Sequence, residues 1–356
     1  MHEPFKQSPV AKCTRRALFG GAIAGAVVMT PGCSFVNRFG EIPEGKLAES
    51  IHTSPNWIDG EFRNQQPTSV MVGKDGFVEA WWKFLTNSTP DLKPAAPLPC
   101  THTDLSALDP SRDIAVWLGH SGLYFQLAGL RFLVDPVYSA YASPVSFINK
   151  SFEFRSGYPF TAKTTPPIDL LILTHDHWDH LDYRTVTELK SRIGKVVCPL
   201  GVGEHFEYWG FDPEKIIELD WHETAALGDG FAVHCLPSRH FSGRGLNPNR
   251  TLWASFLLET PARQGYMGGD GGYGKHFAQI GRQFPGIDLA ILENGQYNEA
   301  WKYIHTMPEQ LSLAAKELGA KQIMTVHHSK FALARHRWDE PLATEAALAA
   351  DTALHV

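Results

Sequence analysis

From Asp113 onward the chain alternates between short apolar runs and polar, glycine-bearing turns. "IAVWLGHSGLYFQLAGLRFLVDP", residues 114–136, reads as two or three strands, with Ala128-Gly129 at a hairpin turn. "IDLLILT", 168–174, is a continuous apolar run of the kind a strand needs when both faces are covered. Further strands are expected at "FAVHCLPS", "LWASFLLE", "GYMGGD", "LAILEN" and "QIMTV". A helix fits Asp182 to Arg192, because Val186 and Leu189 share one face and Asp182 can cap the first turn. A second fits Pro308 to Leu318, where proline occupies the first turn. Strands interleaved with helices predict an α/β layered domain over 111–340, followed by a C-terminal tail over 341–356.

The N-terminal part follows other rules. Residues 34–110 carry scattered prolines (Pro43, Pro55, Pro67, Pro90, Pro94, Pro97 and Pro99) and little periodicity, so they read as an irregular extension packed on the main domain. Within them "FVEAWWKFL" has the look of a helix that can bury Trp81, Trp82, Phe84 and Leu85. Ahead of the extension, "CTRRALFGGAIAGAVVMTPGCS" sets Arg15 and Arg16 before an apolar stretch too short and glycine-rich for a membrane span. Residues 1–33 therefore read as a twin-arginine signal peptide, possibly of lipoprotein type with Cys33 at the processing site. The expected location is the periplasm or a membrane-anchored lipoprotein, with membrane-surface association. A net charge of −6 and the lack of a long basic run beyond residue 33 argue against nucleic acid as a partner. None of the five cysteines forms a CxxC pair, so neither a thiolate zinc site nor a disulfide framework is indicated.

The candidate chemistry lies where the strands end. His175, His240, Asp270 and His327 each follow an expected strand, and loops at one sheet edge are where such groups converge. The densest group is "THDHWDHLD", with three histidines and three aspartates and no lysine or arginine to balance them. A metal ion would supply the missing positive charge. Residues two apart in an extended loop point the same way, so His175 and His177 can grip one ion, while Asp179 and His180 can grip a second. Imidazole and carboxylate suit zinc, and also iron or manganese. His240, Asp270 and His327 are candidates for the remaining ligands. Asp270, in the glycine-rich turn "GGDGGYG", is the best placed to bridge two ions.

"THDHWDH" resembles the signature of the metallo-β-lactamase superfamily, which implies a four-layer αββα sandwich with metals at one sheet edge. "VWLGHSGLYFQLAGLRFLVDPV", "SRHFSGRGLNPNRTLWASF", "YIHTMPEQ" and "SPNWIDGEFRN" are similar to the branch containing N-acyl-phosphatidylethanolamine phospholipase D and its bacterial relatives, over about residues 53 to 341. The resemblance implies a first metal site of His175, His177 and His240, and a second of Asp179, His180 and His327, with Asp270 bridging. It also implies that His305 lies beside the metals, contacting substrate or shuttling a proton. The chain departs from the branch at His327-His328-Ser329-Lys330, which leaves His328 as an alternative ligand. It departs again at "LENGQYNEAW", whose Tyr297 is a candidate substrate contact. Arg239 and Arg244, flanking His240, could hold an anionic substrate or be ordinary surface arginines. His120 in "WLGHSG" reads as a residue behind the ligands and not one of them.

Two ions about 3.5–4 Å apart can hold a bridging water and lower its pKa towards neutrality. The expected activity is thus a dinuclear metal-dependent hydrolase using a metal-bridging hydroxide, with Asp179 and His305 as catalytic residues. Phosphodiesters such as N-acyl-phosphatidylethanolamine-type phospholipids are the expected substrates. The alternatives are a lactone or carboxyl-ester hydrolase, or a metal-binding envelope lipoprotein without catalysis.

Overall fold

The computed structural model describes residues 32–41, 46–72, 89–351 and 356. The proposed helix at 77–85 and nearly all of the export segment lie outside the described residues. The extension contributes two helices, α1 (Gly32–Asn37) and α2 (Lys46–Thr53), and a two-stranded ribbon of β1 (Trp57–Ile58) and β2 (Glu61–Phe62).

Two six-stranded sheets form the domain. The first runs in sequence order through β3 (Ile114–Trp117), β4 (Leu123–Leu127), β5 (Leu130–Val134), β6 (Ile168–Ile172), β7 (Ile193–Pro199) and β8 (Ile216–Leu219). Its first three strands are antiparallel and the rest are parallel. The second contains β9 (Thr224–Gly228), β10 (Phe231–Leu236), β11 (Ser255–Glu259), β12 (Gln264–Met267), β13 (Leu289–Glu293) and β14 (Gln322–Val326). There β9 to β12 are antiparallel, and β12 to β14 are parallel. Helices α3 (Tyr183–Leu189) and α4 (Gly203–Tyr208) follow β6 and β7, while α5 (His276–Gln283), α6 (Pro308–Leu318) and α7 (Glu340–Ala349) belong to the second half.

Side-chain alternation decides the layering. Leu123, Phe125, Phe132, Val134, Leu170 and Ile172 face inward and meet Val233, Cys235, Phe256, Leu258 and Ile291 of the other sheet. Their neighbours Tyr124, Leu133 and Leu171 point outward, onto Val186, Leu189 and Phe206 of α3 and α4. On the opposite side Leu257, Tyr266 and Leu292 pack on Phe277, Ile280, Leu311 and Leu318 of α5 and α6. The layers therefore run helix, sheet, sheet, helix, and the four-layer αββα sandwich is the fold. Ile51 and Phe62 of the extension are buried in the central layer with the sheets. The expected tail is not a tail: residues 340–349 form α7, whose Leu348 is buried against the α5–α6 layer.

Among the described residues, no helix is long and apolar enough to cross a membrane.

Candidate metal centre

Most of the site residues lie in loops that follow a strand. The loop after β6 carries His175 to His180 and turns tightly, the His177 carbonyl accepting from the amides of His180 and Leu181. His240 follows β10 and is gripped at both ends by Asn64 of the extension, which donates to its carbonyl and accepts from its amide. Asp270 follows β12 through Gly269, whose φ is +60° and where a Cβ would lie 2.9 Å from Thr174 and 3.0 Å from the Ala254 carbonyl; only glycine lets the two sheets approach there. His327 follows β14 with φ +70°, and its amide donates to the carbonyl of His120, itself at φ +54°. Two histidines held in the left-handed region mark a backbone constrained by its site.

Two sets of donors lie on either side of Asp270, and a third, Asp270, Glu293, His305 and His327, overlaps them. The first is His175, His177, His240 and Asp270; the second is His120, Asp179, His180 and His327. Asp270 faces both. Its Oδ2 is 3.8 Å from His175 Nε2, 3.7 Å from His240 Nε2 and 3.3 Å from His327 Nε2, and its Oδ1 is 3.2 Å from His180 Nε2. Asp179 Oδ2 lies 2.8 Å from His120 Nε2 and 3.2 Å from His327 Nε2.

Hydrogen bonds behind the cluster set which nitrogen faces inward. Thr174 Oγ1 donates to Asp135 and so accepts from His175 Nδ1, 3.0 Å away. His240 Nδ1 donates to the Ile304 carbonyl at 2.7 Å. His180 Nδ1 is 2.8 Å from Asp135 Oδ2. All three rings therefore present Nε2 to the centre, the arrangement that carboxylate and carbonyl partners impose on metal-binding imidazoles.

The residues present fit metal ions. His175 Nε2 and His240 Nε2 both carry lone pairs, and both lie close to His177 Nδ1, at 2.9 and 3.2 Å. One proton on His177 can satisfy only one of them, whereas one cation satisfies all three. His180 Nε2 and Asp270 Oδ1 are buried and have no hydrogen-bond partner. Burial holds His175 and His240 well below the ordinary histidine value and lowers His177, which keeps these rings neutral and ready to bind. For Asp179 burial acts upward, but His180, His120 and His327 outweigh it and the carboxyl stays well below its usual range. Burial acts downward on His327, yet Asp270, Asp179 and Glu293 lift it to about 10. The lift comes from the carboxylates crowded around the second site.

Two participants were not expected. His120, read from sequence as lying behind the ligands, has its ring in the second donor set. Glu293, at the end of β13, accepts from the amides of Gly271 and Thr306 and holds His305 Nδ1 at 2.7 Å. His305 is thereby fixed beside the centre, its ring 5.1 Å from His240 and 5.3 Å from His327. The only sequence signal for His120 is its position between glycines in a strand-end turn, and for Glu293 its position at the end of an apolar strand.

Other expectations are corrected. Arg244 is 5% exposed and donates to the carbonyls of Asp176, Leu181 and Arg38, so it braces backbone and does not hold an anionic substrate. Arg239 likewise spends its guanidinium on Thr68, Pro67 and the Tyr273 carbonyl, with Tyr303 beneath it. The Tyr297 hydroxyl donates to Glu340, and its buried ring stacks on His336. His328 is turned away onto Ser329 and Trp117, leaving His327 in the cluster.

The Beta-lactamase superfamily domain matches residues 130–328. A Mycobacterium tuberculosis protein described as uncharacterized is 38% identical over 308 residues, 85% of this chain and 81% of that one. The N-acyl-phosphatidylethanolamine-hydrolyzing phospholipase D 1 of Caenorhabditis elegans is 30% identical over 226 residues, 60% of this chain and 63% of that one. Igni18, a metallo hydrolase from the archaeon Ignicoccus hospitalis, shares the fold with a TM-score of 0.50 at 20% identity, covering 65% of this chain and 90% of its own. The chain belongs to the beta-lactamase superfamily. Within it, the chain is a metallo-β-lactamase-fold, metal-dependent hydrolase similar to the N-acyl-phosphatidylethanolamine phospholipase D branch.

Proposed function

We propose that the protein is a dinuclear metallohydrolase that cleaves phosphodiesters, with N-acyl-phosphatidylethanolamine-type phospholipids as substrates. The observation that carries this reading is the shared carboxylate: Asp270 faces both donor sets, so two cations can be held side by side. Zinc is the ion that the imidazole-rich donors suit best. When bound, two such ions would polarise the phosphoryl oxygen and lower the pKa of water between them. The chain's own groups do the rest. Asp179, held ionised, orients the attacking water. His305, fixed through Nδ1 by Glu293, is placed to pass a proton to the departing alkoxide. Cys198 and Cys235 are poor nucleophiles: both are buried, and burial pushes both thiols well above their ordinary value.

The likeness to a relative named for N-acyl-phosphatidylethanolamine hydrolysis supports the lipid substrate. A membrane-surface setting after twin-arginine export belongs to the same proposal. Supporting it, Phe35, Val36, Phe147, Ile148 and Leu246 are exposed apolar side chains on three segments. These segments meet at Arg38, which donates to the Pro144 carbonyl and accepts from Arg244. The test is hydrolysis of bis(p-nitrophenyl) phosphate and of N-acyl-phosphatidylethanolamine vesicles by zinc-loaded protein, beside a lactone and an Asp179→Ala control. Release of phosphatidic acid, lost in the variant, is the expected result. Turnover of lactones alone would overturn the substrate, and silence on all three would overturn catalysis.

A further inference from the structure

Asp176 stands between the ligands His175 and His177, yet its carboxylate takes no part in either donor set. It is 2% exposed, and both oxygens are engaged elsewhere. Oδ1 accepts from the Gly243 amide at 2.7 Å. Oδ2 accepts from Thr251 Oγ1 at 2.9 Å and lies 3.2 Å from His205 Nε2. The loop is held a second time through its backbone. Arg244 Nη1 donates to the carbonyls of Asp176 and Leu181, at 2.8 and 2.6 Å, and so ties the two flanks of the ligand-bearing turn to one nitrogen. The guanidinium lies 4.0 Å above the ring of Trp178, in the middle of that turn.

Both anchors lead to the extension. Arg244 Nη2 and Nε donate to the Arg38 carbonyl at 2.8 and 3.2 Å. The Glu41 amide donates to His205 Nδ1 at 3.1 Å, which places the imidazole proton on Nε2, facing Asp176. Phe39 packs edge-on against Trp178, with ring centroids 5.2 Å apart. Gly40, at φ +72°, allows this closeness, since a Cβ there would meet His205 Nδ1 at 2.2 Å. Asn37 fixes the start of the strap by accepting from Trp209 Nε1 and Tyr208 Oη.

We propose that Asp176, Arg244 and residues 38–41 form a positioning strap that holds the His175–His180 turn in its metal-binding conformation. None of these groups belongs to a donor set. Their effect passes through His175, His177 and His180, whose geometry they preset, so the chain pays the ordering cost of the turn on folding and not on metal binding. The proposal rests on the reading of this cluster as a metal centre, and is independent of the substrate.

The test is zinc binding by the full-length protein, by competition with a chromophoric chelator, together with melting temperatures of the stripped and zinc-loaded forms. Asp176→Asn places an amide donor where Thr251 and His205 both donate, and Gly40→Val disturbs the strap and its contact with His205 while leaving Asp176 in place. Arg263→Ala, which removes an exposed ion pair with Asp113, is the control. We expect both strap variants to raise the zinc dissociation constant about ten- to a hundredfold. The rise in melting temperature on loading should shrink, and the control should match the parent. Zinc constants within about twofold of the parent, at a scale where partners of ligands normally cost tenfold or more, would overturn the proposal. So would equal losses of melting temperature in stripped and loaded forms, since a merely structural role acts on both alike. If Asp176→Asn fails to fold, Gly40→Val decides between these outcomes. A wrong substrate assignment leaves all of these readings untouched.

Discussion

Asp135 touches no candidate metal position, yet it governs one. Its carboxylate accepts from the Thr174 amide and hydroxyl and fixes His180 through Nδ1. Asp135→Asn should therefore weaken metal binding about ten- to a hundredfold by loosening His180, measured by the same chelator competition, with the fold retained by circular dichroism. His276 makes a separate prediction. Buried and near Arg239, it is held at about 3. A folded-state value below the unfolded one means that the stability it supports is present above about pH 6.5 and is lost as pH falls towards 3. His276→Gln should flatten the acid limb of the urea midpoint between pH 6.5 and 4; an unchanged slope would contradict the burial argument. At this scale the sequence was legible where candidate ligands share one loop, as in "HDHWDH", because spacing alone constrains them. It was less legible for His120 and Glu293, whose roles depend on which strand ends become neighbours. Arg239, Arg244 and Tyr297 looked like substrate contacts because side-chain chemistry is visible in a sequence and the carbonyls or carboxylates that occupy it are not.

Elements place these residues by ending where they do. The helix expected at 182–192 is present as α3, capped by Asp182 through the Arg184 amide and finished by a 3₁₀ turn over Lys190–Arg192. The helix at 308–318 opens on its proline and closes at Gly319, φ +66°. Strands β7, β8 and β9 escaped a pattern search because their burial does not alternate cleanly. In β7, Gly194 and Lys195 are exposed before four buried residues. β8 has only one buried position, Leu219, and β9 only one, Ala225. The stretch "LWASFLLE" is a strand only from Ser255; before it, the amides of Leu252 and Ala254 donate to the carbonyls of Leu200 and Thr174, stitching the second half to the first sheet beside the ligand loop. Helix packing gives a test at this level. Gly281 in α5 lies against the end of α6, where a Cβ would sit 2.2 Å from the Glu317 carbonyl. Gly281→Ala should cost about 1–3 kcal/mol, seen as a lower urea midpoint at constant m-value. A neutral result would mean that the two helices can part freely.

For the whole molecule, two sheets pack face to face, and the candidate metal centre lies where loops from both converge. The resemblance to a known superfamily made the four-layer architecture legible, while the apolar runs by themselves established only an α/β layering. The extension was harder to read, because proline-rich chain without periodicity gives no hint of what it contacts. In the structure it is part of the site's support: Asn64 grips His240, and residues 38–41 back the His175–His180 turn. We propose that two cations, held side by side through Asp270, make this chain a phosphodiesterase. The most direct measurement is bis(p-nitrophenyl) phosphate turnover as zinc is titrated into the stripped protein. Activity should rise and saturate at about two equivalents of bound zinc per chain. Two tightly bound zinc ions without phosphodiester turnover, or turnover already full in the stripped protein, would contradict it.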